Sequence, residues 1–215
     1  MNAAIFDFDG LLVDSEPLWR RVEVRELGRV GLSLTEAECE ATTGLRIDEV
    51  VAHWYRRAPW RGATPTEVTT RIVDAMEHEL REAPIAKPGI AHALEVCRRA
   101  GWRLAVASSS PTRLLEAGLE GLGLRGVFEH VMSAENERFG KPHPAVFLNT
   151  ADALGLDPTE CVVFEDSLNG CLAAKAARMS CVVIPERDDP RFVLADLRLA
   201  SLSEWSDAHV ARFAV

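Results

Sequence analysis

Short apolar runs and amphipathic stretches succeed one another along the chain. Ala3-Ala4-Ile5-Phe6 stops abruptly at Asp7-Phe8-Asp9-Gly10, the mark of a buried strand whose carboxyl end opens into a turn. From Ser15 to about Glu82 the period becomes helical, with amphipathic stretches at residues 18–27, 47–55 and 67–80 separated by Gly31, Gly44 and Pro59. Beyond Lys87-Pro88-Gly89 the two patterns alternate. Helices are expected at 90–100, 113–122, 145–154 and 170–177, and strands at 103–107, 130–132, 161–164 and 180–184.

Such alternation predicts an α/β fold, a Rossmann-like parallel sheet with helices on both faces. The all-helical block reads as an insertion, so the expected organisation is a core of residues 1–14 and 87–215 with a helical cap, 15–86, hinged near Asp14 and Ala86. Ligands of such sheets sit at the carboxyl ends of the strands. The polar residues gather there: Asp7 and Asp9, Ser108 to Ser110, and Glu165-Asp166.

Two aspartates two positions apart can divide labour at phosphorus, one attacking as nucleophile and the other moving a proton for the leaving oxygen. Carboxylates facing a phosphate need cations. Glu165-Asp166 can bind a hard ion such as Mg2+ together with Asp7, and Lys141, in Gly140-Lys141-Pro142-His143-Pro144, adds a compact positive charge on a loop stiffened by proline. The Ser108 hydroxyl and the following backbone N–H, that of Ser109, are placed to donate to phosphoryl oxygens. Each piece alone has a structural explanation, since Asp-x-Asp is common and a serine run before Pro111 can cap a helix. Their order at successive strand ends favours one phosphoryl-transfer site.

Composition narrows the partners. The 215 residues carry 24 Lys+Arg against 33 Asp+Glu, a formal charge of −9, which argues against nucleic acid and anionic membranes. No apolar run approaches the ~20 residues that cross a bilayer, and the start lacks the pattern of a signal peptide, so a cytoplasmic monomer acting on a small molecule is the expectation. The five cysteines show no Cys-x-x-Cys spacing and read as small buried hydrophobes.

Asp7-Phe8-Asp9-Gly10, Ser108, Lys141 and Glu165-Asp166 together resemble the four motifs of the haloacid dehalogenase-like hydrolase superfamily, in order and over nearly the whole chain. The helical block resembles the cap of its beta-phosphoglucomutase-like subfamily. The segments 9–19, 44–48 and 189–195, with Trp54-Tyr55 and Pro59-Trp60, resemble its sugar-phosphate phosphatases. The resemblance implies that Asp7 forms an aspartyl-phosphate and that Asp9 serves as acid and then base. It implies that Asp7, the Asp9 carbonyl and Asp166 hold Mg2+ with Glu165 in support, and that Ser108, Ser109 and Lys141 grip the phosphoryl group. Substrates would be sugar or sugar-alcohol phosphates such as hexitol phosphates and 2-deoxyglucose 6-phosphate.

Trp19, just past the hinge, and Arg46, in a loop resembling the family's specificity loop, are the candidate cap residues for substrate. Trp54, Tyr55 and Trp60, with Arg56, Arg57 and Arg61, read either as a sugar-stacking surface or as cap core with a basic rim. Arginines 46, 56, 57 and 61 also keep a phosphomutase, which holds a second phosphate, as the alternative to a phosphatase. A non-catalytic member of the fold is the second alternative.

Overall fold

The computed structural model describes residues 2–187 and 189–214; Met1 and Val215, which bound the expected core, and Asp188 lie outside the described residues. Strand β1 (Ala3–Phe6) is followed by α1 (Glu16–Gly28), α2 (Glu36–Cys39), α3 (Ile47–Arg57) and α4 (Pro65–Glu82). Then come α5 (Ile90–Arg99), β2 (Arg103–Ser108), α6 (Thr112–Gly121), β3 (His130–Ser133), α7 (Ala145–Leu154), β4 (Cys161–Glu165) and α8 (Leu168–Ala176). The chain ends with β5 (Ser180–Val183), β6 (Leu197–Arg198) and α9 (Asp207–Phe213).

The strands form one sheet in the order β3-β2-β1-β4-β5-β6, and every pairing is parallel. A strand buried on both faces needs no polar alternation, which explains why β1 reads as an unbroken apolar run. Its side chains still alternate between faces. Ala4 and Phe6 join one core with Phe164 and Trp205, whereas Ala3 and Ile5 join the other with Ala105 and Phe147. The chain runs outward from β1 to β2 and β3, then crosses back to β4, so the crevice of this topology opens at the carboxyl ends of β1 and β4.

The helical block between β1 and β2 is tethered by two neighbouring strands of chain. Val13 bridges Ala86, and the Asp14 N–H donates to the Ile85 carbonyl at 2.8 Å. Pro65 and the Thr64–Glu67 capping box start α4. At its far end α4 lies close against α6, where a Cβ on Gly121 would fall 2.9 Å from the Leu80 carbonyl oxygen. Trp54 and Trp60 are buried in this block, and Arg56, Arg57 and Arg61 stay exposed. All five cysteines are buried free thiols.

Three elements were outside the sequence expectation: α2, β6 and α9. Each is too short for its own periodicity to show; α2 starts at a local Thr35–Glu38 capping box, whereas β6 pairs with β5 and α9 packs through residues around Trp205. The fully buried Trp205, next to α9, packs edge-on against Phe164 of β4 at 4.8 Å and stacks with Phe213 of α9.

Candidate active site

Asp7 is the first residue beyond β1, Ser108 the last of β2, and Glu165 the last of β4. These ends adjoin because β1 pairs with both β2 and β4. Lys141 reaches the same point from the loop between β3 and α7. It is 2% exposed, and its ammonium donates to Asp7 Oδ1 at 2.7 Å, Glu165 Oε1 at 2.7 Å and the Ala107 carbonyl at 3.0 Å. Burial alone would lower the lysine pKa, but the Asp7 and Glu165 carboxylates hold it above its ordinary value.

Glu165 is anchored from its other side. Its Oε2 accepts from the Asp166 and Ser167 backbone N–H groups and from the Ser167 hydroxyl, at 3.0 to 3.1 Å. Gly170 makes this geometry feasible, because a Cβ there would overlap the Glu165 carboxyl group. Gly10 does the same for Asp166: at φ 71° it leaves room that a Cβ would close to 2.0 Å from Asp166 Oδ2.

Asp9 is gripped by donors from three directions. Its Oδ1 accepts from the Ser15 hydroxyl at 2.6 Å and the Trp19 indole N–H at 2.8 Å, and its Oδ2 from the Ser110 hydroxyl at 2.5 Å. Asp7, Asp9 and Asp166 line a cavity that opens to solvent, together with Ser108, Ser109 and Lys141. Its other wall comes from α1 and the segment up to α3, including Trp19, Glu23, Cys39 and Leu45. The Ser109 hydroxyl is buried without a hydrogen-bond partner.

The model of the haloacid dehalogenase-like hydrolases matches residues 1–178. The chain belongs to this family. Hexitol phosphatase B of Escherichia coli K12 is 45% identical over 206 residues, 94% of this chain and 93% of the relative. Fructose-1-phosphate phosphatase of the same organism is 32% identical over 83% of this chain and 93% of its own. Among solved structures, CbbY from Rhodobacter sphaeroides in complex with xylulose-(1,5)bisphosphate is 28% identical and superposes with a TM-score of 0.86, over 95% of this chain and 96% of that one.

As a haloacid dehalogenase-like hydrolase the chain should accommodate a divalent cation, and its residues fit one. Asp7, Glu165 and Asp166 offer carboxylate oxygens within 4.8 Å of one another, the hard donors that Mg2+ prefers. One ammonium against three carboxylates leaves two negative charges to be offset. Burial, opposed by Lys141 and aided by Glu165 and Asp9, pushes Asp7 up to about 8, and burial with Glu165 and Asp7 raises Asp166 well above the carboxylate range. On the facing wall, burial pushes Glu16 up to about 7 and Glu23 up to about 8.

Carboxyl groups raised in this way bind protons in the folded chain that the unfolded chain has released, so stability falls as pH rises from the unfolded range near 4 to about 8. In EDTA the melting temperature is expected to be lower at about pH 8 than at about pH 5, with Mg2+ restoring part of the loss at the higher pH. A melting temperature that climbs over that interval in EDTA would contradict this clustering of carboxylates.

The two candidate cap residues are placed differently from each other. Trp19 lines the cavity, but its indole N–H is committed to Asp9. Arg46 does not line the cavity: its guanidinium chelates Asp48 at 2.5 and 2.8 Å and donates to the carbonyls of Ala134 and Glu137 at 3.0 and 2.7 Å. It fastens the helical block to the loop after β3, aided by Asn169, whose amide donates to the Thr43 carbonyl at 3.2 Å. Arg56, Arg57 and Arg61 are likewise absent from the cavity wall, which is basic through Lys141 and Arg20. Sequence reading passed over Arg20, Glu23 and the contact of Ser110 with Asp9. The available signal was the series Glu16, Arg20, Glu23, whose spacing of four and three places charges on one face of α1.

Proposed function

We propose that the chain is a Mg2+-dependent phosphatase of small sugar or sugar-alcohol phosphates, hexitol phosphates foremost, working through an aspartyl-phosphate at Asp7. The observation that carries the reading is Asp7 itself, a buried carboxylate with Oδ1 held by Lys141 and its side chain on the cavity wall beside Asp9. The 45% identity to hexitol phosphatase B supports the substrate class.

In the first step Asp7 Oδ2 attacks phosphorus and the bond from phosphorus to the sugar oxygen breaks; the proton carried by Asp9 goes to that oxygen, releasing the alcohol. In the second, water attacks phosphorus, Asp9 takes its proton, and the bond to Asp7 breaks to give inorganic phosphate. Ser108, Ser109 and Lys141 hold the phosphoryl oxygens, with the unpaired Ser109 hydroxyl available to donate. Asp7, Asp166 and the Asp9 carbonyl would hold Mg2+, with Glu165 in support; the ion supplies charge neutralisation at the phosphoryl group. Glu165 also holds Lys141 against Asp7.

Residues 15–86 act in this reading as a cap on a core of residues 1–14 and 87–215, positioning Asp9 through Trp19 and excluding bulk water. Arg46 then serves as a closure latch. The phosphatase is favoured over a phosphomutase by the 45% identity to hexitol phosphatase B; of the arginines that could bind a second phosphate, 46, 56, 57 and 61 do not line the cavity, and Arg20 does. A monomer without nucleic-acid or membrane partners suits the acidic surface, and no helix among the described residues is long and apolar enough to cross a membrane.

Phosphate release from sorbitol 6-phosphate, mannitol 1-phosphate, 2-deoxyglucose 6-phosphate and beta-glucose 1-phosphate, with NMR of the products, tests the reading. Steady release with Mg2+, stopped by EDTA and restored by added Mg2+, is the expected result. Isomerisation of beta-glucose 1-phosphate without net release would make the chain a mutase, and turnover indifferent to chelation would remove the metal from the mechanism.

A further inference from the structure

Glu23 occupies a position that packing does not explain. It lies on α1, is 7% exposed, and faces the cavity that also holds Asp7 and Asp9. Its Oε2 is sealed from solvent and meets no donor, while the carboxyl group accepts from the Cys39 thiol, a weak donor. A buried carboxyl without adequate partners is destabilising, and an apolar side chain of similar size would be favoured there. Neighbouring positions of α1 follow that rule, since Leu18, Val22 and Leu27 are buried. Glu26 is buried too, yet it is paired with Arg25 at 3.0 Å and Arg29 at 2.7 Å. Among the described residues Glu23 has no such ion pair, and the favourable charge of Arg20 is opposed by Glu16.

The site's geometry suggests what completes it. Glu23 lies four residues beyond Trp19, roughly 6 Å along the helix axis, and Trp19 touches Asp9. A phosphoryl group at Asp7 would therefore leave the far end of a short carbon chain near Glu23. A second phosphate there would meet two carboxyl groups, Glu16 and Glu23, against one guanidinium, Arg20, and is disfavoured; an apolar end would leave the carboxyl unsatisfied; a hydroxyl satisfies it.

Resting on the sugar-phosphatase reading above, we infer that Glu23 is a specificity-determining residue, whose carboxyl group on the cavity wall accepts a hydrogen bond from a substrate hydroxyl remote from the phosphate. Cys39, on the same wall, helps orient the carboxyl group through its hydrogen bond. Stability is thereby sacrificed at a buried position for selection of polyhydroxylated monophosphates over hydroxyl-free and bisphosphorylated ones.

The test compares kcat/KM for the wild type's fastest substrate among the four sugar and polyol phosphates with that for p-nitrophenyl phosphate, which carries no hydroxyl. In Glu23→Leu the ratio is expected to fall roughly 10- to 100-fold, chiefly through KM, with a melting temperature at or above that of the wild type. Glu23→Gln, nearly isosteric and still polar, should fall between the two and supplies the same ratio should the leucine variant fold poorly. A ratio within about twofold of the wild type in the folded variants, or an equal loss on both substrates, overturns the assignment. Failure of the phosphatase reading looks different, because the wild type itself would then release phosphate from none of the four.

Discussion

Replacing Asp7 with Asn is expected to lower phosphate release by at least ~10^3-fold while the protein stays folded. The amide keeps the shape of the carboxyl group but lacks the nucleophilic anion, and no neighbour can substitute: Glu165 is fixed by Lys141, Ser167 and two backbone N–H groups, and Asp9 by Ser15, Trp19 and Ser110. Removing one of three clustered carboxylates also relieves repulsion, so the melting temperature in EDTA should not drop. Substantial turnover in this variant would refute covalent catalysis at Asp7.

Lys141→Met is expected to cost both activity and the fold's stability. The ammonium is nearly sealed from solvent between Asp7 and Glu165, so its loss leaves carboxylates buried without their cation, a defect worth about 3–5 kcal/mol. For a chain of this size that corresponds to a melting temperature lower by on the order of 10 °C. The loss should be larger at about pH 8 than at about pH 5, because protonated carboxyl groups do not need the ammonium. Thermal unfolding at the two pH values checks this; a variant as stable as the wild type at the higher pH would contradict the charge balance drawn for the site. Phosphate release should fall with it by ~10^2-fold or more.

The parts of the site legible in the sequence are those that parallel-strand geometry fixes locally. Asp7, Ser108 and Glu165 terminate apolar runs, and once those runs are neighbouring parallel strands their ends must meet. Lys141 was legible because two prolines set it apart on a loop. Residues whose placement depends on how the helical block settles on the sheet were not. Nothing near Arg46 in sequence reveals that its guanidinium ends on carbonyls 88 and 91 residues away. Ser110 reaches Asp9 across 101 residues, and Trp19 faces both the ligand cavity and Asp9, a distinction that periodicity does not carry. Glu23 was hidden for a related reason: an acidic residue in a charged helix reads as solvent-facing until the elements packed on it are known. Short elements leave no periodicity of their own: β6 is held by its pairing with β5, and α9 by contacts around Trp205.

The most direct measurement is chemical trapping of the phospho-enzyme. Wild-type protein turning over its fastest sugar or polyol phosphate with Mg2+ is quenched in acid, reduced with borohydride and mapped by peptide mass spectrometry. Modification at Asp7, absent from a sample without substrate and from Asp7→Asn, is the predicted result. Sustained turnover with Asp7 unmodified and the phosphoryl group trapped on another side chain would contradict the account.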